Sequence, residues 1–476
     1  MFEKSTRVLL INPPESSPGR STSAPLGLMY IAAVLRQNNI PVQILDAFLD
    51  GWDSILRKIR EYRPDIVGIA CPTYARIQAI KVAKIVKENF TDVIVILGGH
   101  HPTLMGQQLL DNYPFVDMVG IGEGEYLMLD LCQGRRLEDI LGLGFKKNNK
   151  IIINEPRPNI EDLDVLPMPA WNLIEPRRYG THNNFVYEGV DLSKEAGAGI
   201  LFSRGCIGRC NFCSNRLMWK KWRHRSAKKV VDEIEFLNRT YNIRCFQFND
   251  DCFSVDRKAT IEFCSEISKR KLRILFRIIT RADCVDEIII KSLKEAGCYL
   301  VQLGIETASP KLLKIMHKPI NLEVSAKAIQ LINSFNIRSV TLLIAGSLGE
   351  NWQTINETID FLNRTNPTDV EVANGIMLFP GTELYSIAKQ QGAIDDSFWL
   401  TDYTWKIYTK ENSRLTLNIF TAAIQKRKKI SRFFFLNMLH SNKFIIKEIE
   451  YFFKDILEKS GIRRIKKKKN KAKVRR

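Results

Sequence analysis

Residues 203–215 read Ser-Arg-Gly-Cys-Ile-Gly-Arg-Cys-Asn-Phe-Cys-Ser-Asn. Three cysteines, Cys206, Cys210 and Cys213, stand there at Cys-x3-Cys-x2-Cys spacing. Thiolates are soft ligands, and a short glycine-containing loop lets three of them converge on one iron–sulfur cluster. Zinc ribbons and ordinary structural clusters need four ligands, yet the nearest other cysteines are Cys132 and Cys245. Three ligands leave one iron open to a molecule that is not protein.

Downstream of this loop the chain repeats apolar strands and amphipathic helices. Strands are expected near 200–203, 244–248, 273–278, 299–303, 339–344 and 370–374, with helices such as 227–239, 257–270, 285–296 and 322–333 between them. Six such units predict an α/β, partial TIM-like (β/α)6 barrel over 196–390, whose chemistry belongs at the carboxyl ends of its strands. Those ends carry Asn249-Asp250-Asp251-Cys252-Phe253, Arg281-Ala282-Asp283, Gly304-Ile305-Glu306-Thr307, Ala345-Gly346-Ser347-Leu348-Gly349-Glu350 and Phe379-Pro380-Gly381-Thr382-Glu383-Leu384-Tyr385. Taken alone, each carboxylate reads equally as a helix N-cap or a loop salt bridge. Cys245, Cys252, Cys264, Cys284 and Cys298 lack ligand spacing and read as core or loop thiols.

Upstream, residues 1–140 alternate strands near 8–12, 42–46, 66–71, 93–97 and 118–121 with helices near 28–37, 52–62, 76–89 and 104–111 and after 125. This predicts a doubly wound, Rossmann-like parallel sheet, which binds ligands outside the carboxyl ends of its strands. Asn12-Pro13-Pro14, Asp46, Pro72-Thr73, the loop Gly98 to Thr103 and Gly122-Glu123-Gly124-Glu125 collect at those ends. The pair His100-His101 reads as a ligand-edge or capping feature and not as a metal site. Residues 141–195 read as a connector, with a hairpin from Phe145 to Asn154 and the proline-punctuated run Leu166 to Trp171.

The cysteine loop, with Ile200-Leu201-Phe202 before it and Phe212 inside it, resembles that of the radical S-adenosylmethionine (SAM) enzymes. The five strand-end segments resemble that family's barrel motifs in order and spacing. The first 135 residues resemble the cobalamin-binding domain of one of its large subclasses, including Pro25-Leu26-Gly27-Leu28 and the Gly-Gly-x-His-x-Thr loop. The architecture also resembles the anaerobic magnesium-protoporphyrin monomethyl ester cyclase. By this resemblance a [4Fe-4S] cluster sits on Cys206, Cys210 and Cys213 beside Phe212, with SAM on the open iron. Asp250 or Asp251 lies near the SAM amino group, Glu306 bonds the ribose, and Gly346 to Gly349 approach the adenine. Thr73, Gly98, Gly99, His101, Thr103, Gly122 and Glu123 would face cobalamin. One departure is informative: the run that in many cobalamin domains reads Asp-x-His-x-x-Gly is here Asp46-Ala47-Phe48-Leu49-Asp50-Gly51. Phe48 cannot coordinate a metal, so the lower cobalt face should lack that ligand.

The implied activity is methylation of an unactivated carbon in a small-molecule or lipid-like substrate. Oxidative cyclisation or ring rearrangement without methyl transfer is the alternative. An external electron donor such as flavodoxin or ferredoxin is implied as a partner. An RNA-modifying methylthiotransferase needs a second three-cysteine cluster, which residues 1–140, with only Cys71 and Cys132, do not supply. A non-enzymatic cobalamin sensor has no use for the cysteine triad.

Composition sets the compartment and the surface. Ten cysteines in a long chain, opening on the short apolar run Val8–Ile11 and no signal-like segment, point to a reducing cytoplasm. The net charge of +19 is concentrated at the end, where ten Lys or Arg and no acid lie between Arg463 and Arg476. Residues 391–476 read as a helical, basic extension. Ile445, Ile449, Phe452 and Ile456 form one helical stripe there. A solvated tail is one reading; attachment to an anionic membrane, peripheral at its inner face, is the other. Nucleic acid is not the expected partner, since no RNA-binding module accompanies the charge.

Overall fold

A computed structural model describes residues 6–14, 23–181, 183–408, 412–427 and 429–430. The expected stripe Ile445 to Ile456 and the ten-cation tail lie outside the described residues.

The first sheet has seven strands: β1 (Val8–Asn12), β2 (Val42–Asp46), β3 (Ile66–Ala70), β4 (Ile94–Gly98), β5 (Met118–Gly120), β6 (Leu143–Lys147) and β7 (Lys150–Ile153). Their order is β2-β1-β3-β4-β5-β6-β7, parallel as far as β5. The chain leaves β1 toward β2 on one side and enters β3 on the other, so the strand order reverses there and a crevice opens above β1 and β3. Each of β1, β3 and β4 is a nearly continuous apolar run, as a strand covered by helices on both faces requires.

Two differences from the sequence-based expectation have physical reasons. The hairpin expected in the connector forms, but β6 pairs antiparallel with β5, so the first sheet runs on through Ile153. Phe145 is fully buried by that pairing. The fourth main helix begins at His100, not near Leu104, because Gly99 at φ +104° turns the chain into it directly after β4.

The connector contributes a small hairpin, β8 (Val186–Tyr187) with β9 (Val190–Asp191). The second sheet follows: β10 (Gly197–Ile200), then, after a two-residue ribbon of β11 (Ser203–Arg204) and β12 (Arg223–His224), β13 (Cys245–Phe248), β14 (Leu275–Thr280), β15 (Cys298–Glu306), β16 (Arg338–Ala345) and β17 (Asp369–Asn374). All six main strands are parallel and adjacent in chain order. Each crossover helix starts where a side chain caps it, as Ser226, Asp256, Asp286, Asn321 and Asn351 do by accepting backbone N–H bonds. Beneath the sheet Phe202, Phe248, Phe253, Phe263 and Phe276 pack ring against ring.

One apolar core spans both sheets. It runs from the helix Leu26–Gln37 through Trp171 and Tyr179 of the connector into Ile200, Phe202 and the barrel helices. Trp171 is 1% exposed, and its Nε1 donates to Glu233 at 2.8 Å. A large ring buried with its polar atom satisfied is a strong anchor, and this one fixes the two sheets against each other. No helix of the described residues is long and apolar enough to cross a membrane.

Candidate active site between the two sheets

The carboxyl ends of both sheets meet at a cavity of about 420 Å³. One wall comes from the first sheet: Asn12, Gly98, Gly99, His100, Gly122 and the helix start at Gly27. The opposite wall holds Ser203, Arg204, Trp219, Asn249 and Asp251. Around Gly27, Gly98 and Gly122 no heavy atom lies within 4 Å of where a Cβ would stand. These glycines leave open floor at the strand ends, a cradle that side chains would fill and that a large flat ligand such as a corrin fits. Thr103 joins its two sides, because its Oγ1 donates to the Gly99 carbonyl at 2.8 Å and accepts the Gly122 N–H at 3.0 Å.

The cysteine loop borders the second wall. Gly205, at φ +97°, opens it, and a Cβ there would lie 2.7 Å from the Lys221 carbonyl, so only glycine fits. Cys206, Cys210 and Cys213 are all partly exposed. Gly208 donates its N–H to Cys206 Sγ at 3.3 Å, and a Cβ on it would lie 3.4 Å from Cys206 Sγ and 3.7 Å from Cys210 Sγ. Asn211 clasps the loop to the barrel: its N–H donates to Met316 O, its Nδ2 to Ile315 O, and its carbonyl accepts Leu384 N–H. A hydrogen bond with Cys252 and then burial raise the Cys206 thiol, and burial raises Cys210 and pushes Cys213 up to about 11. Among the described residues no three donors converge as they would on a single metal ion. A four-iron cube takes one thiolate per iron, with the three sulfurs spread around it. Three half-buried thiols on one short loop suit that cube.

The remaining predicted residues separate by environment. Asp250 is buried and accepts from the N–H groups of Phe202 and Ser203 and from the Ser203 hydroxyl; burial nonetheless pushes it up to about 7. It anchors the strand end, whereas Asp251 lines the cavity, with burial again raising its carboxyl. Of the pair left open by the sequence, Asp251 and not Asp250 lines the cavity. Glu306 sits at φ +64° after a register shift in β15, a bulge that re-aims the side chain, and accepts from Lys318 Nζ at 2.7 Å. Gly346 and Gly349 both have positive φ, and Glu350 accepts the N–H groups of Gly346 and Ser347. Phe212 packs on the cluster of Tyr385, Trp399 and Leu378. Thr73 is buried, and its Oγ1 has no hydrogen-bond partner among the described residues.

Of the two histidines, His100 and not the expected His101 lines the cavity. Burial there lowers the pKa of His100, and Asp251 opposes that effect. His101 is fully buried 5.7 Å from the Trp399 ring, and both ring nitrogens lack a hydrogen-bond partner among the described residues. Burial, then Arg76, pushes it down to about 3, so it is a neutral packing residue.

Several residues of the site carry no spacing signal in the sequence. Arg204, two positions before Cys206, is held by Glu123 and Glu125 of the first domain. Arg76 is fully buried and donates to the carbonyls of Trp399, Thr401, Tyr403 and Thr404, strapping that segment across the first domain. Tyr179 donates to Asp46 at 2.6 Å, and Asn12 donates to the same carboxylate at 2.7 Å. In each case the partners are far apart in the chain.

Sequence and structure comparisons agree with this arrangement. The model for the Radical SAM superfamily matches residues 200–362, and that for the B12 binding domain matches residues 20–131. The chain is 31% identical over 459 residues to an uncharacterized methyltransferase of Pyrococcus horikoshii, covering 94% of this chain and 95% of that one. It is 33% identical over 390 residues to the anaerobic magnesium-protoporphyrin IX monomethyl ester cyclase of Rubrivivax gelatinosus, covering 79% and 68%. Among solved structures, the radical S-adenosylmethionine methyltransferase TsrM of Kitasatospora setae superposes with a TM-score of 0.67 at 21% identity, covering 81% and 76%.

Proposed function

The chain belongs to the radical SAM superfamily, in the branch with a cobalamin-binding domain ahead of the barrel, and from that premise we propose that it methylates an unactivated carbon of a small-molecule or lipid-like substrate. The observation that carries the reading is the shared cavity. The glycine cradle and the wall beside the cysteine loop face one space, so one substrate carbon could meet both cofactors without leaving it. When bound, the reduced cluster with SAM would supply a 5′-deoxyadenosyl radical for hydrogen abstraction, and the corrinoid would supply the methyl group.

The chain's own residues would bind, orient and exclude water. Cys206, Cys210 and Cys213 would hold the cluster, Asp251 would accept from the SAM amino group, and Glu306 from ribose hydroxyls. Gly98, Gly99, Thr103 and Gly122 would floor the corrin site. Glu123 lines the same space, with its carboxylate committed to arginine. The cluster's electron would come from a carrier such as flavodoxin or ferredoxin. Beside the loop at Ile207 and Gly208, a cavity of about 890 Å³ is lined by Arg209, Arg281, Lys314, His317 and Lys318 with Glu323 as its one acid, a mostly basic rim that would suit an acidic carrier. Contact of the basic tail with an anionic membrane, at the inner face of the cytoplasmic compartment, would suit a lipid-like substrate.

Oxidative cyclisation is a second reading, favoured by the 33% identity to a ring-closing relative. Anaerobic reconstitution with iron, sulfide and cobalamin, then incubation with SAM and a strong one-electron reductant, tests the radical half. We expect 5′-deoxyadenosine; its absence from a fully loaded enzyme would refute the proposal.

A further inference from the structure

The junction between the two domains is charged where an apolar contact would serve to hold it. Arg204 of β11 is 8% exposed and places Nη1 2.6 Å from Glu123 Oε1 and Nη2 2.6 Å from Glu125 Oε1. Its guanidinium lies 5.2 Å from the Tyr30 ring centre and 5.8 Å from that of Trp219. Arg223, its register partner on β12, adds contacts of 3.2 Å to both Glu123 oxygens. Glu123 Oε2 also accepts the Ile160 N–H at 2.5 Å. Glu123 stands in the turn that follows β5, beside Gly122 of the cradle, and Glu125 opens the helix after it. Both arginines come from the ribbon that carries the cysteine loop.

Buried ion pairs contribute little net stability, because desolvation cancels most of the attraction; well-packed apolar residues in their place are often neutral or better. What two separate carboxylates on one planar guanidinium do supply is direction. Adhesion is provided elsewhere, by the apolar core that runs from the helix Leu26–Gln37 through Trp171 and Tyr179 into Ile200 and Phe202.

We propose that Arg204 is a positioning residue: gripped by Glu123 and Glu125, it sets where the cysteine loop stands relative to the glycine cradle, and hence the separation of cluster and corrin. This rests on the reading that both cofactors are bound. Only one residue, Gly205, separates Arg204 from the first cluster cysteine, so a tilt of the guanidinium is transmitted to the loop with little slack. A displacement of about 1 Å can cost about 10²-fold in rate, so a directional clamp at this point has a use that a greasy contact lacks.

The test is the dipolar distance, by pulsed electron paramagnetic resonance, between cob(II)alamin and the reduced cluster in the loaded full-length protein. Wild type should give one narrow distribution. Arg204→Met should load both cofactors to wild-type stoichiometry, yet shift or broaden the distribution by about 1 Å or more. Glu125→Gln keeps the Glu123 bond, should show a smaller change of the same kind, and carries the test if Arg204→Met does not load. A wild-type distribution in a loaded variant would overturn the inference even if melting temperature fell, since a purely structural role moves the second and not the first. A wild-type protein that takes up no corrinoid would overturn the underlying reading and this inference together.

Discussion

Thr103 Oγ1 accepts the Gly122 N–H at 3.0 Å, so a single side chain on the helix after β4 fixes the turn after β5. The same hydroxyl donates to Gly99, closing a bridge across the open floor. Replacing Thr103 by Val keeps the shape and removes both bonds. Each is worth about 0.5–1.5 kcal/mol, so cobalamin should bind about tenfold more weakly, with its spectrum otherwise unchanged. Titration of the apoprotein measures this, and an unaltered affinity would show that the bridge does not shape the cradle.

Cys206, Cys210 and Cys213 are partly exposed, as is Cys284, whereas Cys245 and Cys298 are buried in the core. Alanine at any of the first three should abolish the brown iron–sulfur absorption and SAM cleavage. Cys245→Ala or Cys298→Ala should leave both largely intact, at a small cost in melting temperature from the lost packing. Iron and sulfide analysis reads the result directly.

Phe48 lies in a short helix after β2, at the position that by the resemblance carries a cobalt-ligating histidine in many cobalamin domains. Cob(II)alamin bound to this protein should therefore show no hyperfine coupling to a protein imidazole nitrogen, and His100→Ala should leave that spectrum unchanged. Nitrogen coupling that disappears in His100→Ala would make His100 a ligand.

Glu350 is 5% exposed, and burial pushes its carboxyl up to about 7 despite the two amides it accepts from. Its folded value lies above the unfolded one, so between them the folded protein binds more protons. The resulting stability is present at low pH and declines as pH rises from about 4.5 toward about 7. Glu350→Gln should remove a slope of at most about 1.4 kcal/mol per pH unit from that window. Asp250, also pushed up to about 7, keeps a similar slope in the variant. Urea melts across this range check it; an identical slope in both proteins would place the titration elsewhere.

What the sequence discloses follows from how local each signal is. The run Val8–Ile11 can only be a strand covered on both faces, and three thiols at fixed spacing can only belong to one loop. The main strands of both sheets are legible for that reason. The antiparallel partner of β6 is not, because Leu143–Lys147 could pair at any free edge. Nor is the burial of His101 with His100 facing the cavity, which depends on where Gly99 starts the helix. Arg204 with Glu123, and Arg76 with the segment after Trp399, join residues far apart in the chain, and no local pattern announces them. That Asp250 is tied to Phe202 and Ser203 while Asp251 lines the cavity is likewise visible only in the folded chain.

The central claim is that methyl transfer to carbon occurs in the shared cavity. The most direct measurement supplies the reconstituted, reduced enzyme with SAM deuterated in its methyl group and a small-molecule and lipid extract, and reads products by mass spectrometry. We expect a deuterated methyl on a carbon atom of one compound, formed together with 5′-deoxyadenosine and lost in Cys210→Ala. A compound consumed with 5′-deoxyadenosine formation but carrying no label would contradict methyl transfer and establish ring closure or rearrangement instead.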